Sequence, residues 1–318
     1  MTDQRLEELS GLASDGDRLF AINDSDEGGI AVQVIGRDCE IRDTITAQVN
    51  PFDVEDLALA PDGALWLADT GDNNRTRETV ALHVVSPAGG SALYRLTYPD
   101  GKHDAEAVLL DGKGLPYIVT KEPIGSALVY RPAGPLVDGA TVAMEKVASV
   151  SIKGTDTPGG PLQSPVVTRV VTGGAVSHDG GVIALRTYTD AYLYPVPDGD
   201  FVAALAADPV RIPLPNEEQG EAIAFDPDGT LLSGSEFGKA TSSTITAVAG
   251  AAAQAAPPPP PPSKGAEAPG PGDPSAASGE AAPAIAAESS GALWPVVGFG
   301  AVALVLIGAF VRRSRRKA

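Results

Sequence analysis

A single cysteine, Cys39, excludes an intrachain disulfide and a four-cysteine metal site, and leaves the redox compartment open. Basic residues are scarce, with 23 Lys and Arg against 41 Asp and Glu and a formal charge of −18. Five of those positive charges fall in the last seven residues, so the rest of the chain stands at −23. Nucleic-acid binders present basic faces, and a phosphate-backbone partner is therefore excluded as an expectation. The sequence has no G-x-S-x-G elbow, no phosphate-cradling Gly-rich loop and no paired C-x-x-C. No long amphipathic helical pattern competes with strands. At the N-terminus, residues 1–8 contain neither a basic region followed by an apolar stretch nor any other mark of an export signal.

What the chain does have is a repeated unit. From Asp53 to Asn74, alternating Leu57 and Leu59, the turn Pro61-Asp62-Gly63 and the apolar Leu65-Trp66-Leu67 read as strand, tight turn and strand, ending in a polar cluster. Similar segments begin near Glu8, Glu106, Thr172 and Glu221, the one at Thr172 being weaker. Aligning Glu8 on Glu55 gives separations of 47, 51, 66 and 49 residues, the period of a four-stranded propeller blade. Room for two further strands follows the second and third copies, at residues 79–85, 91–97, 127–130 and 146–152. The long gap holds a Gly/Pro/Thr-rich insertion around Gly154 to Pro165. The expected fold is all-β, a β-propeller of five four-stranded blades over residues 1–248.

The composition changes at Ala251. A run of proline from Pro257 to Pro262 is followed by Ala/Pro/Gly/Ser/Glu to residue 290, which cannot bury enough apolar surface to offset chain entropy. Residues 249–290 are thus expected to be a disordered linker, reaching roughly 35 Å as a flexible coil. Gly291 to Val311 contains no charged residue, and at about 1.5 Å per residue a helix of that length matches a hydrocarbon core of about 30 Å. A transmembrane helix at 291–311 with a basic cytoplasmic tail at 312–318 would place the propeller outside the cell membrane, anchored by a single pass. The three strands of the last repeat, ending near Val248, would leave a sheet edge open. This reading places Met1 inside a longer reading frame, with a signal peptide and the closing strand upstream.

The segments ELSGLA, DVEDLALAPDG with ADTGDNN, YPDGKHDAEA, ALRTYTDAYL and GEAIAF resemble those of actinobacterial membrane-anchored β-propeller proteins near the esterase-like phytase and SdiA-regulated families. The resemblance spans residues 8 to about 245 and extends to the Pro-rich tail and anchor. It implies an extracytoplasmic propeller, and its family names point to ester or phosphoester hydrolysis.

Innermost strands of a propeller surround a channel, and equivalent residues of each blade form a ring. That ring is expected to hold Glu8, Glu55, Glu106 and Glu221, with Thr172 in the weak copy. A second polar level holds Asp24, Asp69, Lys121, Arg186 and Glu236. Carboxylates about 8 Å apart repel by about 2 kcal/mol per pair at an effective dielectric near 20. Three arrangements would relieve this: pairing with Lys121 and Arg186, a bound hard cation such as Ca²⁺ on Glu8, Glu55, Glu106, Glu221, Asp24 and Asp69, or raised pKa values that make acid/base catalysts. The clusters Asp24 to Gly28 and Asp69 to Asn74 complete no EF-hand, since Ile35 stands where a bidentate Glu is required. Of the three histidines, His83 falls mid-strand, His178 replaces a turn proline, and His103 alone adjoins the ring. The candidate catalytic pair is His103 and Glu106, and Lys121, Arg186, Tyr188 and Glu236 are the candidate ligand-binding residues. Two functions compete: a module that binds an extracellular ligand or surface partner at the acidic channel, and a Ca²⁺-dependent hydrolase of esters or phosphoesters.

Overall fold

The computed structural model describes residues 1–255, apart from 25–28, 88–89 and 163. Asp26, Glu27 and Gly28, most of the expected linker, the expected span at 291–311 and the tail at 312–318 lie outside the described residues. No helix among the described residues is long and apolar enough to cross a membrane.

Among the described residues, nineteen strands fall into hairpin-connected groups. They are β1 (Leu9–Ser14), β2 (Arg18–Asn23), β3 (Ile30–Gly36) and β4 (Ile41–Ala47); β5 (Val54–Leu59), β6 (Leu65–Asp69), β7 (Val80–Val85) and β8 (Ser91–Thr97); β9 (Ala105–Leu110), β10 (Pro116–Thr120), β11 (Ala127–Pro132) and β12 (Thr141–Val150). Then come β13 (Gly173–Val176), β14 (Val182–Arg186), β15 (Asp190–Pro195) and β16 (Val210–Pro213), and finally β17 (Gln219–Phe225), β18 (Leu231–Glu236) and β19 (Ile245–Val248). Consecutive strands within each group pair antiparallel. The first strands of the groups neighbour one another in the cyclic order β1, β5, β9, β13, β17 and back to β1. This all-β arrangement is that of a β-propeller.

The repeat was legible because each copy spans one inner hairpin, and the hairpins β1/β2, β5/β6, β9/β10, β13/β14 and β17/β18 fall where the copies do. One feature departs from separate four-stranded sheets. The outer strands β8 and β12 pair in parallel, Thr141 opposite Arg95 through Ala143 opposite Thr97, and join two groups into an eight-stranded sheet. The ten residues of β12 explain this, since its first three extend past the β11 pairing, which ends at Met144, and reach β8.

Apolar residues alternate between the two faces of each sheet, and each face packs on the neighbouring group. Phe20, Ile22, Val32 and Val34 meet Leu57, Leu65 and Leu67, while Leu9, Leu12, Leu19 and Ala21 meet Ala222, Ala224 and Leu232. Inner strands approach so closely that a Cβ on Gly11 would stand 2.6 Å from the Leu57 amide nitrogen. Among the described residues there are also two short α-helices, α1 (Phe201–Leu205) and, in the first residues of the expected linker, α2 (Ala251–Ala255). Ala251 and Ala255 are buried against Phe225, Leu231 and Leu214.

The inner edge of an innermost strand has no strand to pair with, so its amides need other acceptors. Asp56, fully buried, supplies one across three groups: its carboxylate accepts from the amides of Leu57 and Val108, each at 2.8 Å, and of Gly174. Burial drives its pKa well above the ordinary carboxylate range, against the opposing pull of those amides.

Candidate functional site

Strand register decides which side chains reach the channel end. Along β5, Val54 pairs with Asp69 and Asp56 with Ala68, so Glu55 is an extra, bulged residue. Glu106 is bulged likewise between Ala105 and Ala107, Glu221 between Gly220 and Ala222, and Ser10 between Leu9 and Gly11. A bulge re-aims the side chain it carries. Here it turns Glu55, Glu106, Glu221 and Ser10, all buried, to one ring.

That register corrects the alignment of Glu8. The residue equivalent to Glu55 in the first group is Ser10, and Glu8 matches Asp53 and Asp104, two residues before the bulge. The mismatch came from measuring back from the turn glycine, because the β1/β2 turn is two residues shorter than the β5/β6 turn. Ser10 fills the ring position as a neutral donor, its hydroxyl 3.3 Å from Oε2 of Glu221. β13 shows no bulge, and Thr172 instead donates its hydroxyl to the Gly220 carbonyl at 2.8 Å.

Glu55, Asp104 and Glu106 converge, with one carboxylate oxygen of each within 4.8 Å of the others and all three side chains buried. Asp53 and Glu221 add negative charge on either side of this cluster. Burial is the main force raising the pKa of Glu55 well above its ordinary value, with the charges of Glu106, Asp53 and Asp104 adding to it. Glu106 is raised in the same way, although the adjacent Lys121 opposes the effect, and Asp104 is raised mainly by burial. Lys121 Nζ donates to Glu106 Oε1 at 2.6 Å and lies 5.3 Å from the centre of the Tyr188 ring. Burial disfavours the ammonium form, but the charges of Glu106, Tyr188, Glu221 and Asp104 outweigh it, and the pKa of Lys121 is raised. The other oxygen of Glu106, Oε2, is buried with no hydrogen-bond partner.

The cluster has the chemistry of a hard-cation site. Its donors are all carboxylate oxygens, and Ca²⁺–O distances of about 2.3–2.6 Å allow two ligand atoms on one ion to stand about 5 Å apart at most. Oxygens within 4.8 Å of one another meet that limit. The backbone leaves room for them: Gly71 lies so close that a Cβ there would overlap the Glu55 carboxylate and stand 2.7 Å from Asp53 Cγ. Asp72 belongs to the surround, its amide donating to Asp104 Oδ1 at 2.7 Å.

A second arc contains Glu8, Asp24, Glu221 and Glu236. The pKa of Glu236 is raised by burial first, then by Glu221, Asp24 and Glu8.

Three anticipated residues stand elsewhere. Asp69 caps the β5/β6 group, accepting from the Asp53 and Phe52 amides at 3.0 and 3.2 Å and meeting Arg77 at 2.9 Å and His83 at 3.2 Å. Its oxygens are thereby committed away from the cluster. Arg186 is fully buried, with its guanidinium spent on Glu217 at 2.6 Å, the Ala222 and Gly234 carbonyls and Ser233. It fastens two groups together and has no donor left for a ligand. His103 has Nδ1 3.1 Å from Glu122 and Nε2 3.2 Å from Asp100 and 3.1 Å from the Tyr130 hydroxyl. This network, closed by Tyr98 packed edge-on at 5.0 Å, ties the loop before β9 to β11 and engages both ring nitrogens.

Asp53, Asp104 and Asp56 were missed as site residues. The first two carried a signal, the repeated pattern Asp-x-Glu at Asp53-Val54-Glu55 and Asp104-Ala105-Glu106. Asp56 carried none, because only the assembled ring brings Val108 and Gly174 to its carboxylate.

A cavity of about 1020 Å³ opens at the opposite ends of the inner strands, lined by Leu59, Leu110, Val176, His178 and Phe225 among others. None of the clustered acids reaches it. The acid cluster is the better candidate site, because its groups are convergent and chemically competent, whereas volume alone defines the cavity.

No protein-family model matches the chain, and no curated protein matches it. Solved structures do. A glucose dehydrogenase is 12% identical with a TM-score of 0.45, covering 78% of this chain and 98% of the other. A gluconolactonase from Xanthomonas campestris is 16% identical with a TM-score of 0.41, covering 71% and 68%. A virginiamycin B lyase from Staphylococcus aureus is 12% identical with a TM-score of 0.39, covering 77% and 71%. With identities of 16% or less and TM-scores of 0.45 or less, these likenesses carry no conclusion about fold or activity.

Proposed function

We propose that the chain is a cation-centred binding propeller of five blades, in which Glu55, Asp104 and Glu106 hold one divalent ion of the size of Ca²⁺. The observation that carries this reading is the convergence of their oxygens within 4.8 Å, together with the unpartnered, buried Oε2 of Glu106. The ion would supply positive charge where the protein has little, and Lys121 and Tyr188 stand beside it. Together they favour a small, oxygen-rich, anionic ligand over a cationic one. The last group, with three strands, is counted as the fifth blade.

A second reading, hydrolysis of an ester or phosphoester, is favoured by one observation. Glu55 and Glu106 have raised pKa values, burial being the main cause, next to a charged lysine, the kind of environment in which a carboxyl group serves as an acid or a base. In that case Glu106 is the residue that holds and moves a proton, Lys121 keeps its partner oxygen oriented, and His103 has a supporting place in the loop before β9.

In the cell, the propeller is proposed to face outward on the membrane-spanning segment 291–311, with the linker as spacer and the basic tail inside, as in the actinobacterial propellers that the sequence resembles. Its partner is then an extracellular ligand or surface molecule. Protease treatment of intact cells tests this: the propeller should be lost from outside while an epitope on the tail is spared.

Calorimetric titration of the chelator-treated chain with CaCl₂ tests the site. One binding event that disappears in Glu106→Gln supports it, and unaltered heats in that variant remove it. Turnover of nitrophenyl acetate or nitrophenyl phosphate by the Ca²⁺-loaded protein, absent in the same variant, would select hydrolysis over binding alone.

A further inference from the structure

Tyr98 follows β8 directly and stands in the segment that leads through His103 and Asp104 into β9. Its ring is edge-on to Tyr130 at 4.8 Å and to His103, the residue before Asp104, at 5.0 Å, and it packs on the apolar cluster of Leu96, Ala105 and Val108. Phenylalanine would serve that packing equally well. The hydroxyl is what packing leaves unexplained, since Oη is buried and has no hydrogen-bond partner among the described residues. A buried O–H left unpaired costs free energy, whereas a ring without it does not.

The surroundings say where Oη faces. Burial comes first in raising the phenol's pKa far above its ordinary value, and Asp104 leads the neighbouring charges, ahead of Arg77 and Asp72. The hydroxyl thus lies on the Asp104 side of the acid cluster and keeps its proton, as a standing donor. The other donors on that side are engaged. The Asp72 amide bonds Asp104 at 2.7 Å, Lys121 bonds Glu106 at 2.6 Å, and Arg77 is held by the Gly71 carbonyl at 2.8 Å and by Asp69 at 2.9 Å.

We infer that Tyr98 is a ligand-positioning residue of the acid cluster, its hydroxyl donating to an oxygen of a carboxylate or phosphate group that is bound to the ion. The inference rests on the ion proposed for the cluster and adds the chemistry of what that ion holds. Water or an alcohol on a cation points its hydrogens outward and asks for acceptors, which leaves the phenol hydrogen unspent. Ionised carboxylate and phosphate oxygens only accept, so one oxyanion shared between the cation and Tyr98 satisfies both.

The full chain, stripped with chelator and reloaded with CaCl₂, is titrated calorimetrically with methylphosphonate and with acetate, alongside Tyr98→Phe and Tyr130→Phe. The expected result is Ca²⁺-dependent binding of at least one anion, weakened about tenfold or more in Tyr98→Phe and unchanged in Tyr130→Phe, whose hydroxyl is already spent on Asp100 at 2.8 Å. The anion that binds more tightly identifies the group. In Tyr98→Phe, affinity for Ca²⁺ alone should stay within about twofold of the parent's, and the melting temperature in chelator should be no lower. Equal anion binding in the parent and Tyr98→Phe, no anion binding by the Ca²⁺-loaded parent, or a fall in Ca²⁺ affinity as large as the fall in anion affinity would overturn the proposal. A parent that binds no Ca²⁺ would instead overturn the ion, and this inference with it.

Discussion

Lys121 and Glu106 form a buried ion pair at 2.6 Å, and their separate removal has unequal consequences. Replacing Lys121 with Met leaves Glu106 without its partner in a buried site beside Glu55 and Asp104, where it must either stay charged at a cost or take up a proton. Breaking a pair of this kind from one side costs about 3 kcal/mol or more. The Lys121→Met variant is therefore expected to lose about that much in urea denaturation with chelator present, and to recover part of it when Ca²⁺ is added. Gly71→Ala probes the same place without altering charge. The added methyl displaces the Glu55 carboxylate, the flexible end of a long side chain, so the fold should survive while Ca²⁺ affinity in calorimetry falls by at least about tenfold, about 1.4 kcal/mol. Unchanged affinity in Gly71→Ala would place the ion elsewhere.

At the scale of elements, the inner hairpins and their bulges set the geometry. Asp69 at the end of β6 holds the start of β5 in place through the Phe52 and Asp53 amides. Burial raises its pKa, but the bond from His83, the charge of Arg77 and those amides outweigh this, and its folded value lies below the ordinary one. A depressed carboxylate stabilises the fold fully above its unfolded pKa, about 3.9, and that contribution is lost as pH falls through the folded value. The stability gap between the protein and Asp69→Asn should be about 3 kcal/mol at neutral pH and should shrink below about pH 4, measured by urea unfolding across pH. A gap independent of pH would deny Asp69 this role. The hairpins themselves were legible in the sequence because turn residues such as Pro61-Asp62-Gly63 and alternating leucines report local structure. The bulges were not, since a one-residue offset appears only when Val54 is seen opposite Asp69 and Asp56 opposite Ala68. Glu8 was set at the ring level because the β1/β2 turn is shorter than the β5/β6 turn, and only the strand register shows that Ser10 holds that position. Arg186 and Asp69 have the residue types of a site but lie where the chain needs internal acceptors and donors, a distinction made by packing and invisible in composition.

At the scale of the whole molecule, the ring of inner strands gathers acids from separate repeats at one end, and the described unit ends with α2. A chain ending at Ala255 is expected to melt as the full propeller does. One ending at Val248 should lose about 1–2 kcal/mol, because Ala251 and Ala255 no longer cover Phe225 and Leu231. Identical melts of the two truncated chains would show that α2 adds nothing. The presence of a propeller and the end of it that collects negative charge could both be read from the repeat. The central claim, that a divalent cation belongs in the cluster of Glu55, Asp104 and Glu106, is tested most directly by thermal unfolding of the full chain and of Glu106→Gln, each in chelator and in Ca²⁺. At 100 times Kd an ion bound only to the folded state adds about 2.7 kcal/mol, a rise of about 5–10 °C in a domain of this size. The expected result is that rise in the parent protein and its loss in Glu106→Gln; the same melting temperature with and without Ca²⁺ in the parent, or an equal rise in both proteins, would contradict it.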